Sequence, residues 1–208
     1  MTGRLPTRLL GSRSGISRED RGAQIVEFAV ALPLLVVFVV GIFDFSGAFT
    51  LKQKLTNAAR DAARTAAADP ANDLTQPSAP SGLPVSVNDA YQTVQNYMLA
   101  NNIPNCGIAP PASPTGLSWT FAPSSGTCTA GVQKLIINRG YYFAQTGGSG
   151  LPPADCSAGS AGSAAVIATC ISIQFVYPWK FGQVASLLGS ATTLPTTLTV
   201  TAVAMNEN

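Results

Sequence analysis

A run of sixteen uncharged residues, 28–43, limits what this chain can fold into more than any other feature of its sequence. With Glu27 and the four residues before it, the run becomes a 21-residue segment that carries one charge. At about 1.5 Å per helical residue, such a segment crosses a hydrocarbon core of roughly 30 Å. Only 11% of the residues are charged, well below the roughly 25% of soluble domains. The sequence therefore predicts one membrane-spanning helix over about residues 23–43.

Basic residues flank this segment unequally. Two lysines, Lys52 and Lys54, follow it, and five arginines precede it: Arg4, Arg8, Arg13, Arg18 and Arg21. Because basic residues accumulate on the cytoplasmic side, this predicts a cytoplasmic N-terminus and an exported remainder. The alternative is a secretory signal peptide, which needs a short apolar core followed by a small-residue cleavage site. Here the run leads into a sequence with more helical character instead.

An amphipathic stripe extends the helix beyond the membrane segment. Its members recur at three- and four-residue spacing: Leu51, Leu55, Ala58, Ala59, Ala62, Ala63 and Ala66. This spacing predicts one long helix over residues 23–68, half in lipid and half outside. Asp69-Pro70 ends it, because the residue before a proline is pushed out of the helical conformation. Pro33 removes one backbone hydrogen bond inside the helix and is expected to kink it.

Two stretches of this helix, RGAQIVEFAVALPLL and LTNAARDAARTAA, resemble the N-terminal signature of the TadE-like family. Members of that family are pilin-like components of the Tad (Flp) branch of type IV pilus systems. The resemblance covers about residues 21–68 and leaves the other 140 or so residues without a named relative. It implies a pilin-like architecture, in which a long N-terminal helix carries a small head.

The resemblance also implies a processing site. A membrane aspartic protease, the prepilin peptidase, would cleave between Gly22 and Ala23 and remove residues 1–22 as a basic leader. Gly22 is compatible with this role because it has no side chain to obstruct an extended backbone in a protease cleft. The other partners implied are further pilin-like subunits and the Tad assembly machinery of the inner membrane.

Glu27 needs an explanation, since a carboxylate in a membrane segment costs at least about 2.5 kcal/mol. The resemblance implies that it pairs with the new N-terminal amine of a neighbouring subunit, so that the two charges offset each other's desolvation. Alternatively, the dipole at the helix N-terminus favours a carboxylate there by about 0.3–1 kcal/mol, and no partner is needed. Asp44, at the far end of the apolar run, is expected to be solvated.

The remainder divides into a proline-rich linker, 69–84, and an exported head, 85–208. Residues 85–102 predict a helix, with Ser86 or Asn88 as its N-terminal cap. Strands are predicted over residues 117–121, 132–138, 141–144, 166–177 and 196–205, with a possible hairpin turn at Arg139-Gly140. The predicted fold class is therefore α+β: a long transmembrane helix that carries a helix packed on a small antiparallel sheet.

All four cysteines lie beyond the membrane segment, at Cys106, Cys128, Cys156 and Cys170. In an oxidising compartment they predict two disulfides, for which three pairings exist. We favour Cys106–Cys128 and Cys156–Cys170, because each pair brackets a loop rich in Gly, Pro and Ser. A metal site is a weak alternative, since the sequence contains no CxxC spacing and no histidine.

The head offers no pattern of catalytic residues. From residue 85 onward its acids are Asp89, Asp155 and Glu207, which lie far apart in sequence, and no spaced nucleophile and base occur. The sequence therefore predicts neither an enzyme nor a cofactor, and a net charge of +2 without a basic cluster does not favour a nucleic-acid partner.

These features together predict a minor pilin or pilin-like assembly factor of a Tad/Flp apparatus. Its expected location is the bacterial inner membrane, with the head periplasmic or extracellular, or the pilus itself. The alternative is an uncleaved, membrane-anchored domain that binds a ligand through aromatic residues. Four aromatic residues of the head suit either that surface or the core: Trp119, Tyr141, Tyr142 and Trp179.

Overall fold

The computed structural model describes residues 18–75, 82–110, 114–124, 128–143, 155–157, 166–182 and 195–207. A single helix, α1 (Arg18–Ala68), runs for 51 residues and continues through Pro33. It ends at the residue where the Asp69-Pro70 pair predicts an end, and it begins before Ala23, inside the predicted leader. The bend at Pro33 stays a prediction.

A short 3₁₀ helix (Ala71–Thr75) connects α1 towards α2 (Val85–Ala100). The expected caps of α2, Ser86 and Asn88, are wrong, because the helix makes no side-chain cap of its own. Asp73 takes this role from the 3₁₀ helix, where its Oδ2 accepts the Ser86 N–H at 2.7 Å. The carboxylate thereby satisfies a free N–H of the first turn of α2. The first part of the predicted linker is thus ordered against the head.

Within the described residues, five strands form one antiparallel sheet in the order β1-β2-β3-β4-β5. They are β1 (Ile108–Ala109), β2 (Ser118–Pro123), β3 (Gly131–Phe143), β4 (Val166–Val176) and β5 (Thr197–Met205). Strand order follows chain order, so each strand pairs with its sequence neighbour. The predicted fold class, a long apolar helix with a helix-plus-antiparallel-sheet head, is confirmed.

The hairpin expected at Arg139-Gly140 is wrong, because β3 continues through it with an irregularity between Asn138 and Tyr141. Arg-Gly is a plausible turn locally, but here it forms a bulge. Leu135 and Ile137 belong to the main core, whereas Tyr141 belongs to the cluster on the other side of the sheet. The extra residue therefore changes which face the strand's side chains occupy.

One face of the sheet carries the main core. The alanine stripe of α1 and the apolar face of α2 pack on it, together with Phe121, Leu135 and Ile171. Six stripe residues are at most 1% exposed: Leu55, Ala58, Ala59, Ala62, Ala63 and Ala66. The opposite face holds a smaller cluster around Cys156 and Cys170. The second half of α1 is thus a core element of the head.

Candidate assembly and processing site

The first half of α1 differs sharply from the second, because residues 24–36 are all exposed. Its large apolar side chains project into the surroundings: Phe28 is 66% exposed, Val30 71% and Phe43 73%. The helix is long and apolar enough to cross a membrane. An apolar helix with nothing packed on it is stable in lipid or against other apolar helices, not in water.

Gly22 and Ala23 lie inside α1, and Gly22 is exposed. A side chain added at Gly22 would meet no other atom within 4 Å. Packing therefore does not require a glycine here. Since a helix hides its backbone from a protease cleft, cleavage at this bond requires the first turns to unwind, and glycine lowers helix stability by about 1 kcal/mol relative to alanine.

Glu27 lies one helical turn beyond Ala23 on the same exposed part of α1. In a helix, residues four apart share a face. A carboxylate at this position is therefore accessible to a neighbouring chain, and the described part of the head does not cover it.

Asp44 is not solvated, contrary to expectation. It is 7% exposed and accepts hydrogen bonds from the head. Its Oδ2 accepts the backbone N–H groups of Lys180 and Phe181, both at 2.8 Å, and its Oδ1 accepts the Tyr177 hydroxyl at 3.2 Å. Asp44 thus fastens the segment that follows β4 onto α1.

A sequence signal for this contact does exist. The buried residues Gly41, Asp44 and Ala48 continue the Leu51–Leu55 stripe backwards at three- and four-residue spacing. Two glycines, Gly41 and Gly47, mark the face on which the head approaches the helix closely. A side-chain carbon at Gly41 would lie 3.1 Å from the Phe181 ring, and one at Gly47 would lie 2.8 Å from the Tyr177 hydroxyl oxygen.

Arg139 is a second buried charge that the sequence does not reveal. Its guanidinium is fully buried and reaches the C-terminal end of α1, where Nη1 donates to the Ala66 carbonyl and Nη2 donates to the Asp69 carbonyl at 2.9 Å. The Ala67 carbonyl accepts the Glu207 N–H at 3.2 Å. Arg139 from β3 and Glu207, which follows β5, therefore satisfy carbonyls that the end of a helix leaves without partners.

Burial shifts the pKa values of two charged residues at this end of α1. Burial lowers the pKa of Arg139, and the Asp73 and Asp69 carboxylates act in the opposite direction. Burial also raises the pKa of Asp69, with a further contribution from the Asp89 carboxylate. Asp69 Oδ2 is buried without a hydrogen-bond partner within the described residues.

The cysteines are joined as Cys106–Cys128 and Cys156–Cys170, with Cα–Cα distances of 5.9 and 5.5 Å. The first bridge ties the loop after α2 to the start of β3. The second bridge ties residues 155–157 to β4. The same residues also contact β3, because Asn138 Nδ2 donates to the Cys156 carbonyl at 3.0 Å. Two disulfides in this small head fit an oxidising compartment.

An open groove of about 440 Å³ lies between α1 and the head. Thr50, Lys54 and Phe175 are among the residues that line it, and Lys54 is the one charged residue in that lining as far as the structure describes it. Trp119 and Tyr141 are buried in the core, while the side chain of Tyr142 lies outside the described part of the structure. The part of the chain that the structure describes also contains no group of three metal-ligating side chains.

The exposed apolar helix suits a membrane anchor, and the helix-plus-sheet head has the α+β architecture expected of a pilin-like protein. Residues 22–64 match the family model described as TadE-like protein, which confirms the resemblance seen in the sequence. The TadE-like family is a structural, pilus-associated family, and the match covers only part of α1 and none of the sheet. No curated protein and no solved structure matches the chain significantly.

Proposed function

We propose that this chain is a minor pilin or pilin-like assembly factor of a Tad/Flp pilus and secretion apparatus. It enters the inner membrane with its N-terminus in the cytoplasm, and its disulfide-bonded head lies outside. It acts by packing the first half of α1 against other pilin-like subunits and the Tad membrane machinery, without catalysis of its own.

One observation carries this proposal. The TadE-like match begins at Gly22, spans the half of α1 that the described head leaves uncovered, and continues into the packed half as far as residue 64. A simple anchor needs only apolar residues, yet this half also contains Glu27, whose burial in lipid costs at least about 2.5 kcal/mol when unpaired. A partner subunit that supplies a positive charge accounts for both the exposure and the glutamate.

Cleavage between Gly22 and Ala23 supplies that charge. The prepilin peptidase would leave Ala23 with a free, positively charged amine. The Glu27 carboxylate of a neighbouring subunit forms an ion pair with this amine. Because residues 18–23 are helical, this part of α1 must unwind before the bond can be cleaved. Gly22 eases the unwinding, so its role concerns the cleavage step and not the stability of the finished protein.

The experiment is the intact mass of the protein from cells that contain or lack an active prepilin peptidase. The mature chain should begin at Ala23 in the first strain and retain residues 1–22 in the second. Gly22→Ala should slow cleavage about fivefold, since about 1 kcal/mol is added to the cost of unwinding, and Gly22→Leu should block it.

Ala29→Leu is the matched control, because it adds comparable bulk at an exposed position of the same helix beyond the junction. It should be processed at the wild-type rate. Residues 1–22 retained in the presence of active peptidase would contradict the proposal and favour the uncleaved anchor.

The groove is the observation that bears on the alternative function, a membrane-anchored ligand-binding head. Ligand sites combine apolar walls with several convergent polar groups. The described lining holds several polar side chains besides Lys54, so the groove itself does not decide against a ligand. The exposed Glu27, however, has no role in such a protein. Ligand binding therefore explains fewer of the features of this molecule.

A further inference from the structure

Residues 177–182, which follow β4, run along α1 towards its exposed half. Tyr177 lies over Gly47, and Phe181 lies over Gly41. These glycines are six residues apart, so the segment follows the helix for about 9 Å. The head therefore extends down α1 well beyond the alanine stripe.

The lower end of this segment reaches the membrane-spanning part of the helix. Gly41 belongs to the uncharged run 28–43, and the Phe181 ring lies against it. If α1 crosses the membrane as proposed above, on which this step rests, Phe181 lies at the edge of the hydrocarbon and not in water. Residues 177–180 then lie at the level of the lipid headgroups.

The chemistry of the segment suits that level. Four rings form a cluster: Phe45, Tyr177, Trp179 and Phe181. The Trp179 ring centroid lies 5.2 Å from that of Phe45 and 4.7 Å from that of Tyr177. Trp and Tyr are enriched at membrane interfaces, because one part of each ring is apolar and the other is polar. Lys180 is exposed beside them, where its amine can reach headgroup phosphates.

Two backbone N–H groups of the segment that face α1 are hydrogen-bonded to it. Asp44 takes up the N–H groups of Lys180 and Phe181, so neither they nor its Oδ2 are left unpaired near lipid. Trp179 Nε1 donates to the Pro195 carbonyl at 2.7 Å. An irregular segment that enters an interface needs such internal partners for its polar groups.

We infer that residues 177–182 are a second membrane contact, which rests the head on the lipid–water interface of the outer leaflet. The partner is the lipid surface itself: headgroup phosphate for Lys180, and the upper acyl region for the rings of Trp179 and Phe181. Two attachments, the helix and this segment, fix the tilt of the head relative to the membrane.

The two tryptophans provide the test, since Trp179 belongs to the segment and Trp119 is buried in the core at 4% exposure. The full chain is reconstituted into phosphatidylcholine vesicles whose acyl chains carry bromine near the headgroups, a contact quencher of tryptophan. Emission is compared for wild type, Trp179→Phe and Trp119→Phe. The emission of the Trp179→Phe protein comes from Trp119 alone. Subtracting it from the wild-type emission gives the emission of Trp179, so the result does not depend on a variant in the core.

Trp179 should have blue-shifted emission and lose most of it in brominated vesicles, with little quenching by aqueous iodide. Trp119 should lose none to bromine. Carbonate extraction of the same vesicles separates this inference from the proposed anchor. A protein that resists extraction but shows no bromine quenching of Trp179, or strong iodide quenching, would overturn the lipid contact alone. A protein that carbonate removes would overturn the anchor and the contact together.

Discussion

The two halves of α1 belong to one continuous helix, yet they meet different surroundings. In the second half the side chains that face the sheet are mostly alanine, and Ala58, Ala59 and Ala62 are fully buried. In the first half the side chains are large, and Phe38 is 64% exposed. Small residues allow a helix to approach a sheet closely, whereas large apolar residues without a partner in their own chain need lipid or another subunit. The second half of α1 thus packs on its own head, whereas the first half is suited to contact lipid or another subunit.

The largest expected effect concerns the end of the packed half. Arg139→Met should lower the free energy of unfolding of the head by about 3–5 kcal/mol, because it leaves the buried carbonyls of Ala66 and Asp69 without their charged donor. The measurement is thermal or denaturant unfolding of the full chain in detergent. Arg64→Met, at an exposed site on α1, is the control and should change stability by at most about 0.5 kcal/mol. Equal stabilities for the two variants would contradict the capping role of Arg139.

A direct comparison of the halves comes from enlarging one alanine in each. Ala62→Leu should cost about 1–3 kcal/mol of head stability, because the stripe has no space for a larger side chain. Ala31→Leu makes the same change in the exposed half and should leave head stability unaltered. Both are measured by unfolding in the same detergent. If Ala31→Leu destabilised the head as much as Ala62→Leu does, the division of α1 into two environments would be wrong.

The smallest expected effect depends on pH. Because burial raises the pKa of Asp69 above 3.8, folding favours the protonated carboxyl. That stabilisation is complete below about pH 3.8 and is lost as the pH rises through the pKa of the folded state. Asp69→Asn, which remains neutral, should therefore be more stable than wild type at neutral pH, and the difference should vanish in acid. Unfolding curves of wild type and Asp69→Asn measured across this range provide the test, and a stability difference that stays constant with pH would contradict the prediction.

Patterns local in sequence predict much of this fold. The apolar run, the alanine stripe and Asp69-Pro70 are sufficient to place α1, and alternating residues are sufficient to place β4 and β5. These signals depend on a residue and its near neighbours, which is why they can be read from one sequence.

The errors have a common cause, which is that tertiary contacts decide the role of a residue. Arg139-Gly140 has the composition of a turn, but β3 continues through it with a bulge. The Arg139 side chain at this bulge donates to carbonyls at the end of α1. Asp44 looks like a solvated boundary residue, but Lys180 and Phe181, more than 130 positions away, donate to it. Ser86 looks like a cap, but Asp73 is the acceptor. The proposed roles of Gly22 and Glu27 involve contacts with other proteins, so they are predicted from the family resemblance and not from the residues' near neighbours.

The most direct test of the account is Glu27→Gln, because it removes one charge from the exposed half and leaves its apolar surface unchanged. Piliation, and pull-down of other pilin-like subunits, are measured against wild type at matched membrane levels. Asp61→Asn is the control, since it removes an exposed carboxylate from the packed half of the same helix. We expect Glu27→Gln to insert, to be processed and to fold, yet to lose piliation and partner recovery, because the neighbour's amine is left unpaired in a medium of low dielectric constant. Normal piliation and pull-down for Glu27→Gln would contradict the account and leave Glu27 with a helix-dipole contribution of about 0.3–1 kcal/mol.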